Sequence, residues 1–73
     1  DYKFQTSGIV VVEIWVDNYG IVKRAIPGVD GTTITDKALW QAARKAAMET
    51  QFNERAEEDP LKKGTITYIF KLN

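Results

Sequence analysis

The sequence predicts an α+β fold: a three-stranded antiparallel sheet with one main helix packed on one face, in the order strand, strand, helix, strand. Three observations predict it. Apolar residues alternate from Gly8 to Asp17 and resume at Ile21 after a short turn; alanines recur at helical spacing after Leu39; and the run from Gly64 to Asn73 returns to a period of two.

In the first strand the even positions Val10, Val12, Ile14 and Val16 are all apolar, whereas Ile9, Val11, Glu13, Trp15 and Asp17 are mixed, so one face is buried more firmly than the other. Asp17, Asn18, Tyr19 and Gly20 supply turn chemistry, because Asn and Gly tolerate positive φ, and a β-hairpin follows. Between Val22 and Ala25, across Lys23 and Arg24, the alternation slips as it does when a bulge takes in one extra residue. Pro27 and Gly28 end the second strand, and a loop runs to Thr33.

The helix start is expected at Thr35 as N-cap, with Asp36 in the first turn and Ile34 placed to pack on Leu39 as a hydrophobic staple. Leu39, Ala42, Ala43, Ala46 and Ala47 form a stripe of small side chains that brings the helix axis close to the sheet, and the helix runs to about Thr50. Lys37, Gln41, Arg44, Lys45 and Glu49 face solvent, with Trp40 and Met48 flanking the stripe. Asn53 to Lys63 is expected as an exposed loop, crowded with charge and interrupted by Pro60. The last strand then places Ile66, Tyr68, Phe70 and Leu72 on one face and Thr65, Thr67, Ile69 and Lys71 on the other.

A chain of 73 residues holds one domain, near the size at which a single core becomes marginal, so self-association is worth weighing from the start. Ten basic residues balance ten acidic ones, which gives no long-range field to gather nucleic acid or an anionic membrane. With neither cysteine nor histidine, disulfides, thiolate nucleophiles, imidazole bases and the usual zinc ligands are excluded. The sequence contains no apolar run near the roughly 20 residues that span a bilayer and no signal-peptide pattern, so any membrane anchor is expected outside this chain. Because the first residue is Asp1, the N-terminus reads as processed or excised.

Chemistry has few footholds. Glu57, Glu58 and Asp59 form the one acidic run, and it reads as a solvated loop because no rigid element or turn glycine orders it. Lys62 and Lys63 precede one glycine that leads into a strand, whereas phosphate-cradling loops need several glycines leading into a helix. Tyr68 and Phe70 alternate as base-stacking residues do on RNA-binding sheets, but they share their face with Ile66 and Leu72 and read as core. Trp15 points outward beside Glu13 and Val11, as a surface contact or as a residue covered by the segment before Gly8. Trp40 reads as a lid over the sheet edge. The backbone remains: the last strand is rich in β-branched residues, has no proline and carries Lys71 as its sole charge, so its unpaired N–H and C=O groups can receive another strand.

Gly8, Val10, Val12, Ile14, Val16, Asp17, then Gly20 and Val22, resemble the "G-x-V-x-V-x-F-x-V-(D)…G-x-V" hairpin signature of the TonB C-terminal domain family. The alanine-rich helix closing at Phe52 and the terminal run from Gly64 through Leu72 are similar to that family's helix and last strand, so the resemblance covers about Ser7 to Asn73. Two departures stand out. The Tyr-Pro segment and short helix that usually precede the hairpin are missing, and Asn53 to Arg55 lacks the proline that commonly follows the aromatic residue, so partner contacts made by the upstream segment do not carry over.

The resemblance implies a non-enzymatic periplasmic domain of a Gram-negative energy transducer, anchored to the inner membrane by a part of the protein outside this chain. It implies no cofactor, no metal and no catalytic residue. The partner would be the TonB-box peptide of an outer-membrane transporter, added as an extra strand along Thr65, Ile66, Thr67, Tyr68, Ile69, Phe70, Lys71 and Leu72, with Thr67, Ile69 and Lys71 tuning the choice of peptide. Trp15 is a further candidate contact. The alternative is a TonB-like interaction or dimerisation module of another periplasmic or membrane-anchored protein; a small hydrolase is a third reading, disfavoured because no nucleophile and base pair at a recognisable spacing. A strand-paired or segment-swapped homodimer is expected if the edge meets a second copy.

Overall fold

The computed structural model describes residues 7–54 and 61–71. Strand β1 spans Gly8–Asp17, β2 Val22–Pro27, helix α1 Lys37–Glu49 and β3 Leu61–Phe70. They form the predicted α+β fold, a three-stranded antiparallel sheet in the order β2-β1-β3 with α1 on one face.

The even residues of β1 go inward: Val10 and Val12 have no exposed surface, and Ile14 and Val16 are buried beside Val22 and Ala25 of β2. Each such side chain contributes roughly 1.5–3 kcal/mol on burial. The turn is fixed by Asp17, whose Oδ1 accepts from the Tyr19 and Ile21 N–H groups at 2.9 Å each. The slip in alternation is a register shift: Trp15 pairs with Arg24 and Val16 with Val22, leaving Lys23 as the extra residue of a bulge.

The helix begins one residue later than the sequence suggests. Asp36, not Thr35, is the N-cap, and its Oδ1 accepts from the Ala38 N–H at 2.9 Å. Ile34 and Leu39 are both buried in the same core cluster. Thr50 caps the other end.

Of the expected alanine stripe, only Leu39, Ala43 and Ala47 are buried, whereas Ala42 and Ala46 are exposed. The cause is where the helix sits. It packs on β2 and β1 rather than on β3, with Arg44 on one flank donating from Nε to the Ala25 carbonyl of β2 at 3.2 Å. At 100° per residue Ala42 and Ala46 fall on the opposite flank, away from Arg44 and β2. Ile66, Tyr68 and Phe70, on the inward face of β3, are consequently only half-buried.

The last strand also differs from expectation. It starts at Leu61, three residues before Gly64, and ends at Phe70. Its length is set by its partner: β1 is ten residues long, and every one of them pairs with β3, from Gly8 opposite Phe70 to Asp17 opposite Leu61. Lys62 and Lys63, expected in a loop, are strand residues, and Lys71 follows the strand's end. Leu72, Asn73 and the acidic run Glu57 to Asp59 lie outside the described residues.

Candidate functional site

An extended strand turns the N–H and C=O of successive residues to opposite sides. In β1, the Val11 carbonyl accepts from the Gly28 N–H at 3.0 Å, the Ile9 carbonyl from the Thr33 N–H at 3.0 Å, and the Val11 N–H donates to Thr32 Oγ1 at 2.9 Å. Odd residues of β1 therefore face β2 and the loop that follows it, and the even ones face β3. Through the register Val10 opposite Tyr68, Val12 opposite Ile66 and Ile14 opposite Gly64, the even residues of β3 take up those bonds. The backbone groups of Lys63, Thr65, Thr67 and Ile69 point the other way, along the outer edge of the sheet, where no strand among the described residues pairs with them.

This edge separates two surfaces. On the outward face stand Thr65, Thr67 and Ile69, with Ile69 68% exposed. Trp15 shares this face and is half-buried beneath cations of its own chain: the Arg24 guanidinium lies 5.0 Å from its ring centroid and the Lys63 ammonium 6.0 Å. Lys63 is held there by Glu13, Nζ to Oε2 3.2 Å. Trp15 is thus a braced part of the sheet surface next to the edge. The described residue before Gly8, Ser7, is exposed, and the rest of that segment lies outside the described residues.

On the inward face, Ile66, Tyr68 and Phe70 continue the apolar surface of the core toward the edge. At the start of β3 this surface drops into a groove of about 470 Å³ between the strand and the segment that follows α1. Ile14 and Val16 of β1, Phe52 to Glu54 after α1 and Lys62 to Thr65 of β3 line it. Phe52 is 39% exposed and Leu61, close by in β3, 43%.

The residues expected to receive a strand thus divide into three groups. Thr65, Thr67 and Ile69 present backbone to the edge; Ile66, Tyr68 and Phe70 spend theirs on β1 and offer half-buried side chains; Lys71 lies beyond the strand and Leu72 outside the described residues. Sequence reasoning missed Lys63 as an edge residue and Phe52 and Gly64 as lining the groove. One signal was available for Gly64, a glycine that interrupts the inward series shared with Ile66, Tyr68 and Phe70. Trp40 is less a lid over the edge than a brace for the loop: its Nε1 donates to the Ile34 carbonyl at 2.6 Å, and Lys37 stands 3.5 Å from its ring.

Among the described residues no group of acidic side chains could hold a metal ion, and no helix is long and apolar enough to cross a membrane. Comparison of the chain with family models, with curated proteins and with solved structures found no match.

Proposed function

We propose that the chain is a non-enzymatic peptide-binding domain of a TonB-like energy transducer, which grips the TonB-box peptide of an outer-membrane transporter as a fourth strand along β3. One observation carries the reading: β3 lies at the sheet edge, with the backbone groups of Lys63, Thr65, Thr67 and Ile69 turned outward. Main-chain hydrogen bonds give a grip that tolerates varied side chains and loads several bonds at once when pulled along the strand. Such a domain works in the periplasm, tethered to the inner membrane by a part of the protein outside this chain, and needs no cofactor.

Titration of isotope-labelled protein with TonB-box peptides tests this. The amides of Lys63, Thr65, Thr67 and Ile69 are expected to shift most; unmoved β3 amides at millimolar peptide refute it.

A second reading has its own observation. Ile69 is two-thirds exposed beside the outward backbone groups, as suits a β3-to-β3 pairing of two copies, in keeping with a dimerisation module. Light scattering over a concentration series separates the two, since this reading requires a dimer without peptide.

A further inference from the structure

Gly64 is the one glycine in the chain that its own fold does not require. The other four have positive φ, and side chains at Gly20 and Gly28 would collide with the Phe52 carbonyl and the Trp40 ring. At Gly64 the backbone is ordinary, and a Cβ would meet nothing closer than Ile14 Cγ1 at 4.0 Å. Within a strand glycine is among the worst choices, because it packs nothing and costs more backbone entropy on folding. What the missing side chain provides is the space beside it.

We infer that the groove at Gly64 is a specificity subsite, which takes one large uncharged apolar side chain, aromatic or branched, from the peptide strand added to β3. The inference rests on the strand-addition reading and deepens it. Gly64 spends its backbone bonds on Ile14, so in an antiparallel visitor the residue opposite it falls at a non-hydrogen-bonded position, where paired Cα atoms come closest, about 4.5 Å, and side chains share a face. That face is the inward one, above Ile14 and Val16 and against Phe52. Glu54, Lys62 and Lys63 line the same groove; Lys63 is paired with Glu13, Nζ to Oε2 3.2 Å, and the other two carry opposite charges, so it favours neither an anion nor a cation. Edge and groove are continuous through Gly64, so one extended peptide occupies both.

The test uses capped seven-residue peptides of threonine and valine, identical except for one phenylalanine moved through the positions, with alanine there as control. One phenylalanine register is expected to bind about tenfold more tightly than its control, the size expected from burying one such ring, and to give ring-to-methyl NOEs to Ile14 and Val16. Gly64→Val should erase that gain, so that the phenylalanine and alanine peptides bind alike, with the fold verified by an unchanged or raised Tm. β3 amide shifts with affinities indifferent to the phenylalanine, or a gain that survives Gly64→Val, overturn the subsite alone. No β3 shift with any peptide overturns the strand-addition reading as well.

Discussion

Gly20 and Phe52 are locked together at the turn of the hairpin: the Gly20 carbonyl accepts from the Phe52 N–H at 2.8 Å, while a Cβ on Gly20 would overlap the Phe52 carbonyl oxygen. An isolated bridge between Ile21 and Gln51 extends the contact. Through it the tight turn after β1 fixes the segment after α1, and so places Phe52 in the lining of the groove. Gly20→Ala meets both a φ of +85° and the overlap. It should cost about 1–3 kcal/mol by urea denaturation and displace the amide signals of Gln51 to Asn53 in the folded fraction. A neutral substitution would mean that the two segments are not coupled.

The same turn depends on Asp17, which holds two backbone N–H groups with one carboxylate oxygen. Asp17→Ala should lower stability by about 1–2 kcal/mol, whereas Asp17→Asn keeps an acceptor in place and should cost less than half as much. Equal losses for the two, compared by thermal denaturation, would mean that charge rather than geometry matters there.

Filling Gly64 sets stability against recognition. A β-branched residue reduces the entropy lost on folding and packs on Ile14, so Gly64→Val should gain about 0.5–1 kcal/mol, read from the urea midpoint, even as it closes the groove. A loss of stability would mean that the site lacks the space its 4.0 Å clearance implies.

Most of the hairpin was legible because its causes are local. Asp17 to Gly20 carry turn chemistry in their own side chains, and the slip around Lys23 shows in the order of residues alone. The helix was legible as an element but not in its depth: Thr35 and Asp36 are both competent caps, and which one serves depends on how the loop from Gly28 to Ile34 docks along β1. Exposure of Ala42 and Ala46 could not be read either, because it follows from the helix lying over β2 and β1, and nothing within the helix encodes which strands lie beneath it. Likewise Lys62 and Lys63 look like loop residues in isolation and become strand because β1 is long enough to pair with them. The edge strand was therefore visible, and the groove beside it was not.

Proline substitution along β3 distinguishes its two kinds of backbone position. Thr67 directs its N–H to the outer edge, whereas Tyr68 directs its own to Val10. Proline is tolerated in an edge strand where the lost N–H faces outward and is disruptive where that N–H belongs to the ladder. Thr67→Pro should therefore leave the domain folded, at a cost of about 1 kcal/mol, while Tyr68→Pro should cost several times as much by losing the bond to β1 and prising the strands apart. If strand addition is the domain's function, Thr67→Pro should also abolish the β3 amide shifts produced by peptide, because it removes a donor from the middle of the receiving edge. A folded Thr67→Pro protein that bound peptide with undiminished affinity would move the binding surface away from the backbone of β3, to the side chains on one face of the sheet.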